Sequence, residues 1–159
     1  MALAWNRFCP LLFLVLWAAA MVLATEMIPP GFTRFEWFKQ QHWQFPKANF
    51  SNPNVYCNNE MAKSVNKYIT FCKKNNDFLH DQIQNIVNVC QLTTITCKNG
   101  MFNCHNSSAV ISITKCNLIQ ITPTCSYQGT VNNSHFVVAC NPRQPNDTQK
   151  DPWLPVHLD

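Results

Sequence analysis

The sequence predicts a small, disulfide-rich α+β domain in which helices come first and strands follow. Apolar residues recur at helical spacing between residues 33 and 90. After about residue 92 the apolar segments become short and β-branched, and they are separated by Asn, Gly, Pro and Ser. Nine cysteines in 159 residues, with no internal repeat and no linker, are typical of one disulfide-bonded domain.

Residues 1–24 are predicted to be a signal peptide. One basic residue, Arg7, precedes a long apolar run, and Val22 and Ala24 occupy the small-residue positions expected before a cleavage site. The run is too short and too rich in alanine for a membrane span. We therefore expect a secreted, extracellular domain at residues 25–159, without stable membrane insertion and compatible with storage in granules.

Secretion decides how the cysteines are interpreted. Cys9 would leave with the signal peptide, and the even number that remains predicts four disulfides in an oxidising compartment. Their pairing stays open at this point. No CxxC pair and no Cys/His cluster at zinc-ligand spacing is present in the sequence, so we predict no metal site. The remaining cysteines are Cys57, Cys72, Cys90, Cys97, Cys104, Cys116, Cys125 and Cys140.

Glycosylation and charge also fit a secreted protein. The formal net charge of +4, which includes Arg7, permits an anionic ligand without demanding one. That charge is too low for a protein that works mainly by basic adhesion to membranes. Four N-x-S/T sequons predict a glycosylated surface, at Asn49, Asn106, Asn132 and Asn146.

Helices are predicted in the first part of the chain. Thr33 and Glu36 form a capping-box pattern, and Phe35, Phe38 and His42 then fall on one helical face. A second helix follows Pro53, where Cys57, Met61 and Val65 are four residues apart. A third is predicted at about residues 80–90, from the spacing of Ile83, Ile86, Val87 and Cys90.

Strands are predicted in the remainder of the chain. The segments 92–98, 109–116 and 135–140 have strand composition, and Asn99-Gly100 predicts a tight turn. A polar loop at 141–152 separates them from a final strand that contains PVHLD.

Two histidines are candidates for chemistry. His42 lies on the apolar face of the first predicted helix, and His157 lies on the final strand. Asp159 shares a strand face with His157 and could orient its ring. A lone histidine of this kind is more often a packed core residue, and Lys73 could be a solvated lysine. Composition and spacing do not show that these groups converge.

Three segments together resemble the pancreatic-type ribonuclease superfamily: QQHW at 40–43, CKKNNDFLHD at 72–81 and PVHLD at 155–159. CKNGMFNC at 97–104 and VVAC at 137–140 support them. The chain looks most similar to the eosinophil-associated and neighbouring host-defence branch. The resemblance implies three helices packed on a bent antiparallel sheet. It also implies the disulfides Cys57–Cys116, Cys72–Cys125, Cys90–Cys140 and Cys97–Cys104.

The resemblance also implies an active site and an activity. His42, Lys73 and His157 would be the catalytic residues of an endoribonuclease that cleaves single-stranded RNA after pyrimidines through a 2′,3′-cyclic phosphate. No metal or cofactor is implied. The implied substrate-binding residues are Gln41, Asn76, Asp77, Phe78, Lys98, Asn103 and Asp159.

Asp77 departs from the family pattern, which usually has threonine at this position. An ionised carboxylate can only accept a hydrogen bond, so it would accept from uracil N3–H but not donate to cytosine N3. We therefore predict a preference for uridine. The alternative is that Asp77 turns outward and pairs with Lys74.

Two functions remain open at the level of sequence. The first is a secreted ribonuclease of innate host defence. The second is a catalytically weak signalling protein or chemoattractant on the same fold. We expect a monomer, with a cell-surface receptor or a cytosolic ribonuclease inhibitor as further partners.

Overall fold

The computed structural model describes residues 27–159, so the predicted signal peptide lies outside the described residues. Three helices are present, as predicted: α1 (Arg34–His42), α2 (Pro53–Glu60) and α3 (Ile83–Asn88). A π-helical turn (Met61–Val65) and a 3-10 turn (Asn66–Tyr68) continue α2, and a 3-10 turn (Val89–Gln91) follows α3. The third helix begins later than predicted, because His80 still belongs to a strand and Gln82 is the residue that precedes the helix.

In the part of the chain that the structure describes, seven strands form two antiparallel sheets. The three-stranded sheet has the order β1-β4-β5 and the four-stranded sheet the order β2-β3-β6-β7. This arrangement confirms the predicted α+β class, with the expected sheet divided into two. The strands are β1 (Asn75–His80), β2 (Thr94–Ile95), β3 (Cys104–Asn106), β4 (Ile111–Gln120), β5 (Ser126–Ser134), β6 (Val137–Pro142) and β7 (Trp153–Leu158).

Three of the described strands, β1, β3 and β5, were not predicted. β5 is a long polar strand in which most side chains are exposed, so it lacks the apolar alternation that indicates a strand. Its pairing with β4 explains why it forms nonetheless. Gly129 of β5 lies so close to the Pro53 carbonyl that a Cβ atom would clash, so a glycine at this position lets the start of α2 pack against the strand.

The start of α1 is held by the 141–152 loop. The Thr33 hydroxyl accepts from Glu36 N (3.1 Å) and donates to the buried Asp147. Glu36 does not complete a capping box; its carboxylate accepts from the Thr148 hydroxyl (2.5 Å) and pairs with Lys39 (2.7 Å). The helix that carries His42 is thereby fixed to the segment that leads into β7.

The three-stranded sheet lies between two apolar clusters. Leu79 of β1 and Ile113 of β4 face one cluster, which includes Phe38 of α1. Phe78 and Cys116 face the other cluster. Because successive side chains of a strand alternate between faces, Asp77 and Lys115 lie on the same face as Leu79 and Ile113.

Among residues 27–159, four disulfides join the elements of the fold. They link Cys57 to Cys116, Cys72 to Cys125, Cys90 to Cys140 and Cys97 to Cys104, which are the pairs that the resemblance implies. The last pair closes the short loop in which Gly100 has a positive φ of +85°. Glycine adopts this conformation without strain, so the predicted Asn99-Gly100 turn forms.

Candidate active site

His42 is the last residue of α1 and contacts strand β1 of the three-stranded sheet. Phe35 and Phe38 are 1% exposed and anchor the same helical face, and His42 is 7% exposed. The Nδ1 atom of His42 lies 2.9 Å from the Asp77 carbonyl oxygen. Because a carbonyl can only accept, Nδ1 carries the proton of the neutral ring, and Nε2 is the basic nitrogen.

Lys73 is held beside this helix by polar side chains. Its Nζ donates to Gln41 Oε1 (2.5 Å) and to Asn76 Oδ1 (3.0 Å). The backbone of Lys73 is fixed as well, because its N–H donates to Asn66 Oδ1 (3.2 Å) and its carbonyl accepts from the Tyr127 hydroxyl (2.8 Å). The ammonium group is therefore positioned before any substrate binds.

Asn76 connects the two parts of this network. It is 2% exposed, and its Nδ2 donates to the Gln41 carbonyl (2.8 Å) while its Oδ1 accepts from Lys73. Both polar atoms of the side chain are thus used inside the protein. These contacts hold Gln41 and Lys73 in position, and the predicted role of Asn76 in substrate binding remains a prediction.

His157 lies on the last strand, β7. β7 pairs with β6, with His157 opposite Ala139, and α1 packs against β7. His157 lines a cavity of about 350 Å³ together with Arg34, Trp37 and Asn103. Sequence reasoning identified His157 and Asn103 but not Arg34 or Trp37, which come from the first helix.

The residues that follow His157 are tied to the rest of the domain. The Asp159 N–H donates to the Val137 carbonyl (2.9 Å), and the Lys98 N–H lies 3.2 Å from both carboxylate oxygens of Asp159. The side-chain carboxylate of Asp159 therefore binds the 97–104 loop. The predicted contact of Asp159 with His157 remains a prediction. The side chain of Lys98 is exposed at the start of this loop.

Asp77 and Lys115 form a separate pair beside His42. They lie opposite each other on β1 and β4, and Lys115 Nζ is 3.7 Å from Asp77 Oδ2. Burial raises the pKa of the Asp77 carboxyl, and Lys115, Lys73 and Lys98 partly offset this effect. The alternative partner considered from the sequence, Lys74, is not the one found.

Phe78 was also predicted to bind substrate, and that role remains a prediction; its side chain lies in the apolar interior. The ring is 1% exposed and packs edge-to-face on Tyr56 at 5.6 Å, on the sheet face opposite Asp77. Only a rearrangement of that apolar cluster would bring the ring to a substrate. The reason is the strand alternation, which sends neighbouring side chains of β1 to opposite faces.

Sequence comparison decides the family. The profile of the family described as pancreatic ribonuclease matches residues 33–159, which include every element of the fold described above. The chain belongs to the pancreatic ribonuclease family.

Individual members of the pancreatic ribonuclease family are similar over nearly their whole length. Ribonuclease 7 of Homo sapiens is 41% identical over 163 residues, covering 100% of this chain and 98% of the relative. Ribonuclease K3 of Sus scrofa is 41% identical over 154 residues, covering 96% and 95%. Ribonuclease K6 of Aotus trivirgatus is 40% identical over 151 residues, covering 94% and 95%.

Two further observations concern residues 27–159 of this pancreatic ribonuclease family member. None of its helices there combines the length and apolar character needed to cross a bilayer. Cys97, Cys104 and Asp159 lie close enough together to suggest a metal site. However, both cysteines are oxidised in a disulfide and so offer no thiolate.

Proposed function

We propose that this protein is a secreted endoribonuclease that cleaves single-stranded RNA on the 3′ side of pyrimidines, with uridine preferred, in innate host defence. The observation that carries the proposal is the hydrogen bond from His42 Nδ1 to the Asp77 carbonyl. Because this bond uses the Nδ1 proton, Nε2 of the buried His42 can act as the base. The preceding residue of the same helix, Gln41, holds the Lys73 ammonium. Family membership supports the same reaction class.

In the first step of the proposed reaction, His42 Nε2 takes the proton of the ribose 2′-hydroxyl. The 2′-oxygen forms a bond to phosphorus while the bond to the 5′-oxygen breaks, and His157 gives a proton to that leaving oxygen. The products are a 2′,3′-cyclic phosphate and a 5′-hydroxyl end. Two imidazoles perform this step near neutral pH because their reference pKa is about 6.5.

In the second step the roles reverse. His157 takes a proton from water, and the water oxygen forms a bond to phosphorus while the bond from phosphorus to the 2′-oxygen breaks. His42 returns its proton to that 2′-oxygen, which leaves a 3′-phosphate and a free 2′-hydroxyl. DNA lacks the 2′-hydroxyl and is therefore not a substrate for this reaction.

Lys73 and Gln41 act on the phosphate. The Lys73 ammonium stabilises the negative charge that builds on the phosphoryl oxygens, which is often the largest contribution to catalysis. The network of Gln41 and Asn76 holds that ammonium in place, so little reorganisation is needed during the reaction. Acid, base and cation are all supplied by side chains, so the proposed reaction requires no metal.

The predicted extracellular location agrees with the surface of the domain. All four sequon asparagines are exposed, at Asn49, Asn106, Asn132 and Asn146. We propose that they carry glycans and that the protein acts as a monomer outside the cell. The remaining proposed partner is a ribonuclease inhibitor, which would cover the same site.

The test is cleavage of poly(U) and poly(C) in EDTA by the disulfide-bonded domain, with a His157→Ala variant beside it. We expect metal-free cleavage that falls by about 10²- to 10⁴-fold in the variant, the usual contribution of one acid–base group. Equal activity of the two proteins would contradict the proposal. Such a result would favour the alternative, a signalling protein on this fold.

A further inference from the structure

A small cavity lies next to His42, between the two sheets. Its volume is about 140 Å³, and its apolar surface comes from Ile113, Phe136 and Leu158. Asp77 and Lys115 also line it. A cavity of this size suits a single aromatic ring rather than a larger ligand. The backbone of Asp77 contacts His42, so a ring held here would lie beside the proposed base.

The strand register places both charged side chains on the wall of this cavity. Asp77 is the direct partner of Lys115 in the antiparallel pair β1–β4. Asp77 lies two residues from Leu79 on β1, and Lys115 lies two residues from Ile113 on β4; both apolar residues are on the same sheet face and belong to the core. The charged pair therefore begins where the apolar core ends, at the entrance of the cavity.

The two side chains are close but do not satisfy each other. At 3.7 Å, the distance between Lys115 Nζ and Asp77 Oδ2 is that of an ion pair rather than a direct hydrogen bond. Lys115 is 44% exposed and Asp77 is 31% exposed, so the pair is open to the cavity. The Asp77 carboxylate and the Lys115 ammonium group therefore lie side by side, and each can form further hydrogen bonds.

Two other polar groups of the cavity wall are engaged elsewhere. The Nδ1 atom of His135 donates to the Ser107 carbonyl (2.8 Å), and the Asp159 carboxylate accepts from Lys98 N. Asp77 and Lys115 are therefore the pair best placed to read a base.

We propose that Lys115 is a specificity-determining residue that reads the O4 atom of uracil while Asp77 reads N3–H. This inference rests on the proposed ribonuclease function and concerns the same site. Uracil presents a donor at N3 beside an acceptor at O4, which matches a carboxylate beside an ammonium group. Cytosine presents the reverse, an acceptor at N3 beside an amino donor, and so meets two mismatches.

The test compares Lys115→Met, Lys115→Arg and a control, Lys67→Met, which removes an equal charge from an exposed turn after α2. The ratio of kcat/KM for UpA to that for CpA is measured for each protein. We expect the ratio to fall by about ten-fold in Lys115→Met, the size of one charge-assisted contact. It should change by less than about two-fold in Lys115→Arg and in the control.

A modified substrate separates a direct contact from a general charge effect. Replacing O4 of uridine by sulfur weakens the acceptor that Lys115 would meet. The wild-type protein should discriminate against 4-thio-UpA, whereas Lys115→Met should cleave it as well as UpA. If both proteins respond equally to sulfur, or if the UpA/CpA ratio is unchanged in Lys115→Met, the inference is wrong.

Binding of uridine 3′-phosphate and cytidine 3′-phosphate, measured by calorimetry, keeps this inference separate from catalysis. Suppose that the wild type does not cleave RNA but binds the uridine nucleotide more tightly, and that Lys115→Met loses this preference. Recognition of the base by Lys115 is then supported, and the proposed ribonuclease function is wrong. If RNA is cleaved but the variants bind both nucleotides like the wild type, the reading of the base fails alone.

Discussion

The two parts of the candidate site are built differently, although α1 contacts both, through Gln41 on one side and His42 on the other. On one side, Lys73 is fixed through its ammonium group and its backbone, and Asn76 is nearly fully buried with both polar atoms bonded. On the other side, Asp77 and Lys115 are partly exposed and held by one ion pair of 3.7 Å. The side proposed to bind phosphate is held by several hydrogen bonds, whereas the side proposed to bind the base is partly exposed.

This difference follows from what each side is proposed to do. Stabilising charge in a transition state requires a group whose position is set in advance, because reorganisation during the reaction would raise the barrier. Recognition of a base requires only that the hydrogen-bonding edge of the preferred base binds more tightly than that of another base. Groups with unused donors and acceptors can provide this difference. The comparison therefore predicts large effects for changes on the phosphate side and smaller, substrate-dependent effects on the base side.

The largest effect is expected at Lys73. In Lys73→Met, kcat should fall by about 10²- to 10³-fold for UpA and CpA alike, because the lost charge acts on the phosphoryl group and not on the base. Lys74→Met is the matched control, since it removes the charge of the exposed neighbouring residue. Steady-state kinetics measure both. A drop confined to one of the two substrates would show that the separation of the two sides is wrong.

A smaller effect is expected at Asn76. Asn76→Ala leaves the buried Gln41 carbonyl and the Lys73 ammonium without one partner each, so the free energy of unfolding should fall by about 1–3 kcal/mol. Urea denaturation measures this change. Asn75→Ala, at the exposed neighbouring position, should stay within about 0.5 kcal/mol of the wild type. Equal losses in both variants would mean that the network does not hold Lys73 in place.

The smallest effect is expected in the pH dependence of base preference. Because burial raises the pKa of Asp77, this carboxyl takes up a proton at a higher pH than an ordinary aspartate. The protonated form can donate to cytosine N3, so the UpA/CpA ratio of kcat/KM should fall by a few-fold from about pH 7 to about pH 4.5. Protonation of the catalytic histidines affects both substrates and cancels in the ratio.

Asp77→Asn provides the control for this prediction. An amide offers both a donor and an acceptor at every pH, so its UpA/CpA ratio should not vary with pH. A wild-type ratio that stays constant or rises on acidification would contradict the role of Asp77 in reading the base.

The fold was predictable wherever apolar periodicity was strong. Phe35, Phe38 and His42 mark one face of α1, and all three are buried together in the structure. β5 was not predictable, because its partner strand rather than its own composition holds it in place. The third helix was placed too early because periodicity does not report where a strand ends and a helix begins.

The candidate site was predictable only in part, for a similar reason. His42, Lys73 and His157 lie in recognisable segments, whereas Lys115 becomes visible only through its cross-strand pairing with Asp77. No local pattern around Lys115 indicates that it lines a cavity. The burial of the Phe78 ring was not predictable either, because no strand was predicted over residues 75–80 to show that Phe78 and Asp77 face opposite ways.

The pairing of β1 with β4 has a consequence for how this protein can change. Positions 77 and 115 face each other on two regular strands, so two point substitutions could reverse the donor and acceptor order without altering any loop. His42 would keep its hydrogen bond, because that bond uses the backbone of residue 77 and not its side chain. The choice of RNA sequence and the chemistry of cleavage can therefore evolve independently at the same position of the chain.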